Sequence, residues 1–100
     1  MLTTVAKTAE LQPGQVLGRT INNKQIAIFY VDGKIYAIDD TCTHAGGSLS
    51  EGEVNGTTVT CPWHGATFDI TTGAATGAPA SEGVKGYKVV VEGDEVKVEI

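Results

Sequence analysis

The chain has 100 residues, 41% of them hydrophobic, which is enough for one small domain with a single core and too few for two domains. Its formal net charge of −5 argues against binding nucleic acid phosphates or an anionic membrane surface, so protein partners with basic or mixed-charge faces are expected instead. Residues 1–20 lack the pattern of a secretion signal, and no apolar run is long enough to span a membrane. These features predict a cytoplasmic protein with no nucleic acid and no membrane among its partners.

Strand-like segments follow one another along the chain and predict an all-β protein. Lys24 to Val31 and Lys34 to Ile38 are rich in β-branched and aromatic residues, and Thr57 to Thr60 is a third such segment. Gly86 to Ile100 alternates apolar and polar side chains and predicts one further hairpin. Only Lys7 to Leu11 fits a short turn of helix.

Turn-forming pairs separate the predicted strands. Asp32-Gly33 and Asn55-Gly56 are typical of tight hairpin turns because these residue types tolerate positive φ. Three further pairs mark turns elsewhere: Pro13-Gly14, Asn22-Asn23 and Gly93-Asp94.

Two short segments contain every cysteine and every histidine of the chain. Cys42-Thr43-His44 offers one thiolate and one imidazole, and Cys61-Pro62-Trp63-His64 offers the same pair after a gap of sixteen residues. The simplest interpretation is one metal centre with two sulfur and two nitrogen ligands. Both segments fall between predicted strands, where glycines such as Gly65 leave backbone N–H groups available to a cluster.

Three interpretations of these donors compete. Zinc accepts two sulfur and two nitrogen ligands, but zinc fingers group two cysteines and then two histidines, whereas each segment here mixes the donors. A zinc-binding interaction module is therefore one alternative. In the second, Cys42 and Cys61 form a disulfide or are buried thiols, and His44 and His64 are ordinary surface groups. The third interpretation is an iron–sulfur cluster.

The arrangement of the donors resembles the signature of Rieske [2Fe-2S] proteins, C-x-H followed by sixteen residues and C-x-x-H. The similarity extends over Thr41 to Gly52 and Cys61 to Gly73, which look like the two cluster loops of Rieske ferredoxins. Gly77-Ala78-Pro79-Ala80 resembles the proline-containing loop that covers the cluster.

The resemblance implies a specific fold and a specific ligand set. The fold expected is a Rieske-type antiparallel β-sandwich with a small cluster-binding subdomain of two metal loops. These loops would lie within residues 41–80 of a single Rieske ferredoxin domain covering 1–100. Cys42 and Cys61 would hold one iron of a Rieske [2Fe-2S] cluster, and His44 and His64 would hold the other.

The chain departs from the Rieske proteins of respiratory and photosynthetic cytochrome complexes, which it otherwise resembles. Those proteins carry an extra cysteine in each loop, joined as a disulfide, where this chain has Gly47 and Trp63. They also carry a serine and a tyrosine, whose hydroxyls donate to cluster and cysteine sulfur, where this chain has Ala66 and Phe68. The resemblance therefore implies the low-potential soluble ferredoxin branch.

An electron carrier is favoured over an enzyme. If His44 and His64 bind the cluster, no histidine is left for a mononuclear iron site or for general-base catalysis. The resemblance implies a carrier that passes single electrons from a flavin-dependent ferredoxin reductase to a terminal Rieske oxygenase. A monomer is expected, because a small electron shuttle must meet its two partners in turn. The alternative within redox proteins is the Rieske-like small subunit of another complex, such as nitrite reductase.

Four acidic residues flank the first metal segment: Asp39, Asp40, Glu51 and Glu53. They are interpreted either as charges that steer a docking partner or as ordinary solvated loop groups.

Overall fold

The computed structural model describes residues 2–41, 48–62, 65–77 and 83–100. These ranges form eleven strands: β1 (Leu2–Lys7), β2 (Val16–Ile21), β3 (Lys24–Val31), β4 (Lys34–Asp39), β5 (Glu53–Asn55), β6 (Thr58–Thr60), β7 (Thr67–Asp69), β8 (Ala75–Gly77), β9 (Gly86–Tyr87), β10 (Val89–Glu92) and β11 (Glu95–Glu99). Two short 3₁₀ turns, Thr8–Glu10 and Leu49–Glu51, complete the secondary structure of the described ranges. The all-β prediction is confirmed, and the first 3₁₀ turn falls where a turn of helix was expected. No helix in this part of the chain is long and apolar enough to cross a bilayer.

The strands pair antiparallel in three sheets, in the orders β1-β11-β10, β2-β3-β4-β9 and β5-β6-β7-β8. The second sheet is buried on both faces, because successive side chains of a strand point to opposite sides. Ile26 and Ile28 of β3 pack in one core with Val96 of β11. Their neighbour Phe29 packs in a second core with Phe68 of β7. The predicted sandwich is confirmed, and the cluster-binding subdomain has a four-stranded sheet of its own.

The Asp32-Gly33 hairpin turn is confirmed, with φ values of +51° and +75°. The other predicted hairpin turn is shifted by one residue. Asn55 still pairs with Thr58, so the loop begins at Gly56, which has a φ of +63°. Glycine at the first position of the two-residue loop Gly56-Thr57 suits this turn, because tight hairpin loops need positive φ at that position.

The C-terminal residues form two pairings rather than the single predicted hairpin. Tyr87 in β9 pairs with Ala37 of β4, in the second sheet. The chain then passes to the first sheet at Lys88, where β10 and β11 form the expected hairpin with Val89 opposite Val98. This crossing brings the C-terminal segment against the end of β4, close to the predicted metal site.

Candidate metal centre

The three segments that carry the predicted site leave the same end of the β5-β6-β7-β8 sheet. Thr60, the last residue of β6, pairs with Glu53 at the start of β5 and with Thr67 at the start of β7. Thr67 also pairs with Gly77, the last residue of β8. Antiparallel order therefore brings together the chain before β5, the chain between β6 and β7, and the chain after β8. We call this end, with Cys61 and Gly65 between β6 and β7, the loop end.

The base of the first segment, residues 42–47, is closed by pairing between its two flanks. Thr41 and Ser48 form an antiparallel bridge. The Leu49 N–H donates to the Asp40 carbonyl at 2.6 Å, and the Ser50 N–H donates to Asp40 Oδ1, also at 2.6 Å. These hydrogen bonds hold the end of β4 against the 3₁₀ turn Leu49–Glu51, on the two flanks of the first segment.

Asp40 is buried, with 7% of its surface exposed. The interpretation of this residue as a steering charge or a solvated loop group is therefore wrong. Gly18 of β2 packs so closely that a Cβ atom on it would lie 2.8 Å from Ser50 Oγ and 3.7 Å from Asp40 Oδ2. The sequence carries no local signal for this role, because Asp40 and its partner Ser50 are ten residues apart and meet only through the fold.

The second segment begins at Cys61, a buried residue with 1% of its surface exposed. Its N–H donates to the Ala66 carbonyl at 2.7 Å, and Gly65 turns the chain back with a φ of +74°. Cys61 packs in the core that contains Leu49, so the chain that follows the first segment and the start of the second segment share one core. A thiolate at this buried position would be costly without a cation, and a bound iron ion would supply that cation. The environment of Cys61 therefore fits a cluster ligand.

The other three predicted ligands, Cys42, His44 and His64, lie outside the described residues. Within the described ranges no group of three His, Cys, Asp or Glu side chains could hold a metal ion, as expected when only Cys61 of the four falls inside them. The predicted cover around Pro79 is outside these ranges too.

Ala66 and Phe68 are the residues that the resemblance matched to the serine and tyrosine of Rieske proteins in respiratory and photosynthetic cytochrome complexes. Both are fully buried, and both belong to the core that contains Cys61. Neither side chain has a hydrogen-bond donor. These two positions therefore contribute apolar contacts around the Cys61 loop.

A side-chain hydrogen bond links β9 to the strand that enters the first segment. The Tyr87 hydroxyl donates to Asp39 Oδ1 at 2.5 Å. The backbone N–H of Lys85 donates to Asp39 Oδ2 at 3.4 Å. Burial, and then the hydrogen bond and negative charge of Asp39, raise the pKa of Tyr87 to about 12, so the hydroxyl keeps its proton at neutral pH. Asp39 is thus hydrogen-bonded to Tyr87 and Lys85. Of the four acidic residues that flank the first segment, only Glu51 and Glu53 are exposed.

The family model of the Rieske [2Fe-2S] domain matches residues 1–88. The chain belongs to this family. It carries a Rieske-type [2Fe-2S] cluster, and the burial of Cys61 at the loop end agrees with that cofactor. The predicted family and cofactor are therefore confirmed.

Relatives within the family are ferredoxins of dioxygenase systems. The ferredoxin component of the naphthalene 1,2-dioxygenase system of Pseudomonas aeruginosa is 40% identical over 91 residues, which cover 91% of this chain and 88% of the relative. The ferredoxin of carbazole 1,9a-dioxygenase from Nocardioides aromaticivorans superposes with a TM-score of 0.93 at 31% identity, covering 98% and 96% of the two chains. A chain in a complex of reduced oxygenase and oxidised ferredoxin in carbazole 1,9a-dioxygenase superposes at 0.90 with 33% identity, covering 97% and 91%.

These similarities confirm an electron-transfer component rather than a catalytic enzyme. They do not favour the nitrite reductase subunit or the zinc-binding module, because these relatives are ferredoxins of ring-hydroxylating systems.

Replacing Asp40 tests the hydrogen bonds that hold the two flanks of the first segment together. Asp40→Ala removes the acceptor for the Ser50 N–H and should lower the iron content of the purified protein and the temperature at which its visible absorption bleaches, because an unsatisfied buried N–H costs about 1–3 kcal/mol. Asp40→Asn keeps an acceptor oxygen and should remain much closer to wild type. Equal iron loss in the two variants would show that the negative charge, and not the hydrogen bond, holds the segment.

Proposed function

We propose that Cys42 and Cys61 bind one iron of the cluster and that His44 and His64 bind the other. Three observations support this ligand set: the buried Cys61, the Thr41–Ser48 bridge that closes the first segment, and the common end from which the segments leave their sheet. When bound, the cluster supplies a one-electron couple, and imidazole ligands in place of two thiolates raise its potential relative to an all-cysteine site.

We infer that the protein passes single electrons from a flavin-dependent ferredoxin reductase to the terminal Rieske oxygenase of an aromatic-ring dioxygenase system. This function is supported by the similarity of the chain to ferredoxin components of dioxygenase systems, together with the buried Cys61 at one end of a small scaffold. His44 and His64 are expected at the protein surface, since electron transfer needs a short path to the partner.

We also propose that residues 1–100 form one domain and that the protein acts as a monomer in the cytoplasm. The radius of gyration of 12.4 Å supports one domain, since a folded chain of this length is expected near 13 Å. A monomer suits a carrier that must meet two partners in turn.

Changing one ligand should remove the cluster, because a three-ligand site opens an iron to solvent and releases one segment. We expect His64→Ala and Cys42→Ala to be purified without normal iron content or visible absorption. Thr43→Ala, which changes a residue between two predicted ligands, is the matched control and should keep both. Normal spectra in both ligand variants would show that the ligand set is wrong.

The reduction potential should lie near the bottom of the range of about −150 to +300 mV that Rieske centres span. Ala66→Ser and Phe68→Tyr should raise it, because reduction adds negative charge to the cluster and a donated hydrogen bond stabilises that form more. If each hydroxyl contributes about 1 to 2 kcal/mol of difference, the rise is roughly 40 to 90 mV per substitution.

A spectroelectrochemical titration checks this prediction. Ala37→Ser is the control, because Ala37 is buried in the other core, and it should leave the potential unchanged. A wild-type potential well above zero, or no rise in the double variant, would show that solvent exposure or net charge sets the potential instead.

The carrier function is tested by reconstitution. Wild type should restore NADH-dependent dihydroxylation of naphthalene when it replaces the ferredoxin in a mixture of the reductase and terminal oxygenase of the naphthalene 1,2-dioxygenase system. The cluster-free Cys42→Ala variant should not. Reduction of the oxygenase is checked by anaerobic rapid mixing. If wild type has its full cluster content and does not reduce the oxygenase, the assignment to this class of dioxygenase is wrong.

A further inference from the structure

A groove of about 340 Å³ lies beside the first metal segment, next to the base formed by Thr41. Six residues line it: Lys24, Gln25, Asp39, Thr41, Lys85 and Tyr87. They meet because β4 ends there, with β3 on one side and β9 on the other. The Asp40 N–H donates to the Gln25 carbonyl at 2.9 Å, and the Asp39 N–H donates to the Lys85 carbonyl, also at 2.9 Å. The groove is therefore fixed to the strand that enters the cluster site.

Both lysines of the groove face the ring of Tyr87. The Nζ atoms of Lys24 and Lys85 lie 5.9 and 5.2 Å from the ring centroid, within the range of a cation–π contact. In the described ranges the ion pairs involve Lys7, Arg19 and Lys97, and no carboxylate lies within ion-pair distance of either groove lysine. Both ammonium groups therefore remain available to an acidic group from outside.

The one carboxylate of the groove is already bonded. Asp39 accepts the Tyr87 hydroxyl and the Lys85 N–H. Counting Asp39 with the two lysines leaves the groove with one net positive charge, on a chain whose net charge is −5. The charge of the groove is therefore opposite in sign to the net charge of the whole molecule. The exposed acids Glu51 and Glu53 follow the other flank of the same segment and belong to the cluster-binding subdomain.

We propose that this groove receives an acidic side chain of the terminal oxygenase and so fixes the rotation of the docked complex about the loop end. The inference rests on the proposed function. A partner carboxylate would meet two ammonium groups in the groove, and basic groups of the same partner would face Glu51 and Glu53. Charges of both signs around one contact specify an orientation that a uniformly acidic surface cannot.

Lys24→Gln and Lys85→Gln test the groove, with Lys34→Gln as the matched control. Lys34 starts β4, while the groove lies at its other end, so the control removes the same charge roughly 17 Å away. The reduced ferredoxin is mixed anaerobically with the oxidised oxygenase of the naphthalene system, and one electron passes from carrier to oxygenase. Binding of the oxidised proteins is measured separately, so the result does not depend on turnover.

Each groove variant should lower the second-order rate constant at low salt by about 3- to 10-fold, raise the dissociation constant by a similar factor and flatten the salt dependence of both. Lys34→Gln should stay within about 2-fold of wild type, because screening weakens its charge over that distance. Iron content and midpoint potential are measured for every variant. A rate change fully explained by a shifted potential, with binding unchanged, would overturn the proposal.

Three other results would overturn it as well. The variants could all behave alike, which would show a general charge effect. The groove variants could match wild type. They could also slow reduction by the flavin reductase and leave transfer to the oxygenase unchanged, which would assign the groove to the reductase. If wild type itself does not reduce the oxygenase, the proposed function fails before any variant is compared.

Discussion

The antiparallel pairing of Thr60 with Glu53 and with Thr67 is the constraint on which the metal site depends. It brings both metal segments to one end of a sheet and points Cys61 into the core, on the same face as Val59 two residues earlier. A slip of one residue would turn Cys61 outwards, because side chains alternate between the faces of a strand. The buried apolar residues of β6 and β7 fix this register, so core packing also sets the direction of Cys61, the proposed sulfur ligand.

The first metal segment is positioned by a different sheet from the second. It follows β4, and Asp40 at the end of that strand clasps Leu49 and Ser50 on the far side of the segment. Leu49 then enters the core that contains Cys61. Assembly of the site therefore depends on packing between the two sheets, and a substitution at that interface acts on the cluster without touching a ligand. Gly18, against Ser50 and Asp40, is such a position.

The chemistry of the site could be predicted from the sequence because it depends on residue types that are rare in this chain. Four Cys and His residues in two matched segments predicted the iron–sulfur cofactor before any fold was known, and their assignment as its ligands stays a prediction. The strand β3 was also predicted with its observed ends, since a segment rich in β-branched and aromatic residues stands between two turns. Four strands were not predicted: β1, β2, β5 and β8. Strands β5 and β8 have three residues each, too few to show a period, whereas β1 and β2 have six each and were missed.

The missed features are contacts between residues distant in sequence. Asp40 looks like any acidic residue at the end of a strand, and only the approach of Gly18 and Ser50 shows that it is buried. Tyr87 and Asp39 are 48 residues apart, and β9 brings them together only after the chain has left the third metal-site segment. The C-terminal hairpin was predicted as one unit because alternation does not reveal which sheet each strand joins.

Net charge alone is a poor guide to the partner's docking face. The net charge of −5 influences the first approach of a partner. In about 0.1 M salt its field is screened beyond roughly 10 Å. In the docked complex, groups at contact distance dominate. Beside the two flanks of the first segment these are two lysines close to the Tyr87 ring at the end of β4, and the exposed Glu51 and Glu53 on the other flank. A face complementary to this arrangement carries both signs of charge, so a partner selected only for positive charge would approach readily and dock without a fixed orientation.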